Sequence, residues 1–183
     1  MKRSRLPVLI TLALVPLLVG ASPAQAQKSR VDPPSPVRIG VFGGLALPAG
    51  DLGNAADLGF GLGLRVEGRA HASGWGLRGD LSWDRFAGRR TVNAYSYTAL
   101  AGNLVHRERN GRFYEYGGLG VYSSRVAFVD GFDASDTNLG MQLGLGADLT
   151  SVAPRLFAEF GLTSAFTSGR SSLWFPVRLG FWF

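Results

Sequence analysis

The sequence predicts an all-β fold, a single eight-stranded antiparallel up-and-down transmembrane β-barrel preceded by a signal peptide. Three observations carry that expectation. Apolar residues recur with a period of two, not 3.6, through most of the chain after residue 36. The alternating segments run to about eleven residues, the length a tilted strand needs to cross a bilayer (about 9–11), whereas soluble sheets use about 5–6. Charged side chains sit on the parity opposite to the apolar ones.

Composition bounds the alternatives. A chain of 183 residues is one domain of ordinary size. Apolar residues make up 46% and charged residues 17%, which excludes a disordered chain. There is no cysteine, which excludes disulfides, thiolate metal sites, thiol nucleophiles and a lipidated cysteine. The 26 glycines follow no three-residue period, so the chain is not collagen-like.

The elements follow in order. Lys2, Arg3 and Arg5 precede an apolar run from Leu6 to Ser22, and Ala24-Gln25-Ala26 is a small-x-small cleavage pattern. Residues 1–26 are therefore expected to be a signal peptide. The competing reading, a retained membrane anchor, asks for a longer apolar run of ~20 residues. Cleavage removes three basic residues and no acidic one, lowering the formal charge from +6 to +3. The basic balance belongs in part to the leader, and a nucleic-acid partner is not expected. Residues 27–36, with Pro33, Pro34 and Pro36, read as a flexible lead-in, and 37–183 as the barrel.

Six segments alternate clearly: 37–47, 59–70, 75–85, 139–149, 155–163 and 173–183. Their apolar faces include Ile39 and Val41, Leu62 and Leu64, Leu77 and Leu81, Leu143 and Leu145, Leu156 and Phe160, and Val177 and Leu179. Arg85 is the one charge on these faces. Opposite them stand Arg38, Arg65, Glu67, Arg69, Arg78, Asp80, Asp84, Gln142, Asp148, Arg155, Glu159 and Arg178, spaced by small residues such as Gly61, Gly63, Gly144 and Gly146. Segments 95–106 and 112–123 are strand-like with unsettled facing. Leu100 and Leu104 suggest the apolar face of the first, with Asn103 opposite. In the second, Leu119 and Val121 share parity with Glu115, and a bulge near Gly117-Gly118 would separate them.

The connections alternate too. Gaps 48–58, 86–94, 124–138 and 164–172 are long. Gaps 71–74, 107–111 and 150–154 are short, the second ending in the tight-turn pair Asn110-Gly111. Long connections on one side and short turns on the other are the asymmetry of an outer-membrane barrel. The physics agrees. Hydrocarbon cannot satisfy a free N–H or C=O, so a sheet within it must close. A lipid-facing Arg or Lys at the midplane costs about 2–4 kcal/mol, so the outer faces should be free of charge. Charges enclosed in a narrow lumen must pair. Arg65, Glu67, Arg69, Arg78, Asp80, Asp84, Asp148, Arg155, Glu159 and Arg178 are expected to form that ion network, filling a barrel of this size and leaving no wide pore. Trp75, Trp83, Tyr95, Tyr97, Tyr114, Tyr122, Trp174 and Trp182 lie near strand ends, where interfacial girdles sit, although Trp174 and Trp182 fall on the inward parity.

No catalytic, cofactor-binding or metal-binding set emerges. His71 and His106 lie at short-turn ends. Gly59-x-Gly61-x-Gly63 lacks the spacing of a nucleotide loop. Asp130, Asp133 and Asp136 lack the EF-hand pattern.

The last strand, Phe175-Pro176-Val177-Arg178-Leu179-Gly180-Phe181-Trp182-Phe183, and the segment Gly44-Leu45-Ala46-Leu47-Pro48-Ala49-Gly50-Asp51 resemble the small outer-membrane β-barrel family of Gram-negative-type bacteria, of the OmpA/OmpX kind. The resemblance spans about 37–183. It implies residence in the outer membrane with membrane lipid as a partner. It also implies that Phe175, Val177, Leu179, Phe181 and Phe183 form a signal read by the barrel-assembly machinery. It carries no activity, because a fold does not fix a function. The expectation is a structural or surface-interaction protein whose loops meet an extracellular partner. The alternatives are a narrow pore for small or hydrophobic solutes, a lipid-modifying enzyme, or, at the level of fold, a soluble calycin-like barrel with the faces inverted.

Overall fold

The computed structural model describes residues 37–69, 74–108, 112–151, 154–167 and 170–183. The signal peptide, the lead-in, His71 and Asn110-Gly111 lie outside them. Eight strands follow one another: β1 (Val37–Ala49), β2 (Ala56–Arg69), β3 (Trp75–Gly88), β4 (Val92–Arg107), β5 (Phe113–Phe128), β6 (Asp133–Asp148), β7 (Arg155–Thr167) and β8 (Arg170–Trp182). A short helix, α1 (Gly50–Ala55), joins β1 to β2. Each strand pairs antiparallel with the next, and β1 pairs with β8, setting Val41 opposite Phe181 and closing the ring.

The two faces are sorted as the alternation requires. Leu62, Leu143 and Leu179 are exposed on the outside, while Arg65, Glu67, Asp80 and Glu159 are buried inside. That arrangement excludes the soluble barrel with inverted faces. On β4, Leu100 and Leu104 point out and Asn103 in. On β5, Tyr114, Tyr116 and Tyr122 point in and Leu119 and Val121 out. The β4–β5 register runs unbroken from Glu115 opposite His106 to Val121 opposite Leu100, so no bulge at Gly117-Gly118 separates Glu115 from Leu119 and Val121, and Glu115 faces outward with them. The pair is irregular between Val92 and Ala94 instead.

The expected long connections are largely strand. Arg89–Thr91 alone joins β3 to β4, and residues 129–132 join β5 to β6. These strands rise past the apolar belt, and their outward positions there (Ser123, Arg125, Ser135, Thr137) are polar. Alternation fades where lipid no longer selects for it. Gap 48–58 holds α1, a helix too short to show a 3.6-residue period. Its Leu52 is buried, so this segment closes the mouth of the barrel and is not a free loop.

The aromatic expectation also needs correcting. Tyr97, Tyr114, Tyr122, Trp174 and Trp182 lie inside the barrel. Trp75 is exposed outside, and Trp83 meets the outward Phe60 edge-on at 5.5 Å. Strand-end position alone does not reveal facing, whereas parity does.

Candidate functional site: a filled lumen and a raised rim

The lumen is built in three tiers. Nearest the short turns, Arg38 donates to Glu67 at 2.9 Å and to Asp148 at 3.2 Å. Arg107 enters from β4 and grips the same two carboxylates, with Nε on Glu67 Oε1 at 3.1 Å and Nη1 on Asp148 Oδ2 at 3.3 Å. At mid-height Glu159 accepts four hydrogen bonds from three residues. Arg65 binds it through two nitrogens, one at 2.9 Å, Arg78 donates at 2.9 Å, and Tyr114 Oη at 2.8 Å. Asp80 lies 3.2 Å from Arg65 Nε and 3.1 Å from Arg78 Nε, and accepts from Asn103 and Gln142. Higher still, Arg178 stands 3.8 Å from Asp84.

Arg38, Arg65, Arg78, Arg107 and Arg178 thus face Glu67, Asp80, Asp84, Asp148 and Glu159, five charges against five. Each guanidinium also lies over an aromatic ring: Arg38 over Trp182 (3.6 Å), Arg65 over Phe42 (4.5 Å), Arg78 over Tyr116 (3.8 Å), Arg107 over Tyr114 (4.1 Å) and Arg178 over Phe42 (4.7 Å). Away from water, cation–π contact adds to ion pairing and fills space that a carboxylate cannot. Glycine opposite makes room for the rings: a Cβ on Gly144 or Gly161 would fall 2.6 or 2.8 Å from Tyr116 Oη.

Above the ions sits an apolar cap of Phe86, Tyr97, Tyr122 and Trp174, packed with Ala46, Ala56, Ala99, Ala165 and Leu52 of α1. Trp174 lies at its centre, 4.9 Å from the Tyr97 ring and 5.9 Å from Phe86. Side chains therefore fill the cylinder from the short turns to its mouth.

Of the residues expected in the ion network, Arg65, Glu67, Arg78, Asp80, Asp84, Asp148, Glu159 and Arg178 are brought together. Arg69 pairs with Gly76 through the backbone, and its side chain lies outside what is described. Arg155 is half-buried and forms no ion pair among the described residues. Sequence reasoning missed Arg107, assigned to a turn, and the phenol of Tyr114. Arg107 shares parity with Asn103, so extending that inward face would have found it.

On the last strand, Val177, Leu179, Phe181 and Phe183 point outward, and the Phe183 N–H bonds Ile39 O at 2.8 Å. Phe175 is half-buried, its ring stacked on Phe160. At the opposite end, the β5–β6 hairpin carries exposed Val129 and Phe132 at its tip. Residues 133–139 of β6 pair with β5, while pairing with β7 begins only at Gly140 among the described residues. Asp133 bonds Arg125, Asp130 accepts from Phe132 N, and Asp136 accepts from Asn138.

An apolar exterior around an ion-paired, side-chain-filled interior defines the class: a small membrane-spanning β-barrel. Solved structures share this fold. The Yersinia pestis outer membrane protein Ail in a phospholipid bilayer nanodisc aligns at 16% identity with a TM-score of 0.53, over 80% of this chain and 99% of that one. Ail in complex with the heparin analogue sucrose octasulfate aligns at 18% with a TM-score of 0.54, over 80% and 97%. A major outer membrane protein from Thermus thermophilus aligns at 12% with a TM-score of 0.56, over 80% and 99%. No protein-family model and no curated protein matches the sequence.

Proposed function

We propose that the chain is an integral outer-membrane protein that works by surface contact, through the part of the sheet that rises above the barrel rim. The observation that carries this reading is the raised β5–β6 hairpin. It exposes Val129, Phe132 and Leu139, and one edge of residues 133–139 is unpaired among the described residues. Unpaired backbone beside exposed apolar side chains is what an extended partner segment can join. The filled lumen argues against the narrow-pore alternative. Catalysis is not assigned: His106 bonds Glu115 on the outer wall at the short-turn end, far in chain direction from the rim. Assembly is proposed to pass through the barrel-assembly machinery, reading the outward row Phe175, Val177, Leu179, Phe181 and Phe183.

The test replaces residues 124–136 by a two-residue Asn-Gly turn, which keeps Ser123 opposite Thr137, and compares cells displaying each form for adhesion to sulfated glycans and matrix proteins. The trimmed barrel should remain heat-modifiable in detergent gels and lose adhesion. Equal adhesion by both forms would remove the surface-contact reading.

A further inference from the structure

On the outer wall, four strands place one row of side chains side by side near the short turns: Trp75 (β3), His106 (β4), Glu115 (β5) and Leu145 (β6). Trp75 packs against His106 with ring centroids 4.6 Å apart and planes tilted by 38°, and His106 Nδ1 lies 3.2 Å from Glu115 Oε1. In the next row toward mid-membrane, Gly117 stands between Leu104 and Leu143. The missing side chain opens a groove of about 520 Å³, walled by Leu104, Leu143 and Leu145 and ending at the His106–Glu115 pair. Packing does not demand glycine there, because the atom closest to an added Cβ would be Gln142 O at 3.9 Å.

We infer that this groove holds a phospholipid with a primary-amine headgroup, of the phosphoethanolamine type. One acyl chain lies over Gly117 between Leu104 and Leu143. Glu115, 63% exposed and placed where polar headgroups begin, accepts hydrogen bonds from the ammonium. A carboxylate at this level repels an anionic glycerol headgroup, and a quaternary choline has no N–H to donate, so the chemistry selects the primary amine. The inference rests on the outer wall facing lipid.

The test is native mass spectrometry of the refolded mature protein with equimolar phosphatidylethanolamine, phosphatidylcholine and phosphatidylglycerol of identical acyl chains. The wild type should retain phosphatidylethanolamine over phosphatidylcholine by roughly threefold, the scale of a charged contact at an exposed site. E115Q should erase the preference. G117L, which fills the groove and leaves the charges in place, should lower retention of all three lipids. Equal retention of the three lipids by the wild type, or an E115Q variant that keeps the preference, would overturn the inference. Protease protection in vesicles, measured on the same samples, reads membrane insertion separately: an inserted barrel without headgroup preference defeats this inference alone, and a barrel that never inserts defeats the membrane reading as well.

Discussion

Arg65 on β2 and Glu159 on β7 meet inside the barrel although their strands are not neighbours, with Arg65 Nη2 donating to Glu159 Oε2 at 2.9 Å. This pair ties opposite parts of the wall to each other. Arg78 and Tyr114 converge on the same carboxylate, which makes Glu159 the hub of the mid-height tier.

Replacing Glu159 with Ala leaves Arg65 and Arg78 buried with one fewer counter-charge. The expected loss is about 3–5 kcal/mol, read from urea titrations of the barrel folded into lipid vesicles. Arg107→Met removes one of the two arginines that grip Glu67 and Asp148 among the described residues but keeps the bulk over Tyr114, so its cost should be smaller, about 1–3 kcal/mol. If the two variants ranked in the opposite order, the hub role of Glu159 would be wrong.

The chain contains no cysteine, so one introduced thiol reports its own surroundings. In vesicles, Leu143→Cys should resist a membrane-impermeant maleimide, and Phe132→Cys at the hairpin tip should react fully. Rapid labelling at position 143 would place water where lipid is expected.

Planar bilayers containing the protein should show no steady nanosiemens openings. Trp174→Ala should stay equally silent, because the ion tiers lie beneath the cap that this residue centres. Sustained conductance in the wild type would restore the pore reading.

Phe183 is 70% exposed, so its ring packs little against the protein itself. Phe183→Leu, which keeps an apolar side chain on the outward face, should slow the appearance of heat-modifiable protein in cells while leaving urea stability in vesicles within about 0.5 kcal/mol. A stability loss with normal assembly kinetics would instead assign the ring a packing role.

Much of this was legible in the sequence, and the reason is the bilayer. Leu62, Leu143 and Leu179 face one solvent and Arg65, Asp80 and Glu159 face the other, so parity alone assigned six strands. The legibility ended where that contrast ended. Above the belt, Ser123, Arg125, Ser135 and Thr137 are polar on the outward side, and strand read as loop. Leu52 acts through a helix too short for periodicity. The stacking of arginines on Phe42, Tyr114, Tyr116 and Trp182 needs three-dimensional adjacency across strands, which spacing along one strand does not encode. Glu115 breaks the apolar parity of its face, as Arg85 does at the far end of β3; toward the strand ends a charge on the outward side is permitted.

The pairing of Val41 with Phe181 sets the order of events during biogenesis. The seam is sealed by residues from opposite ends of the barrel sequence, so no partial polypeptide can complete the cylinder, and a nascent chain carries its greasy stripes unprotected until nearly all of it has been made. A holding factor that shields Leu62, Leu143 and Leu179 during transit is therefore as much a requirement of this architecture as the membrane that finally receives them.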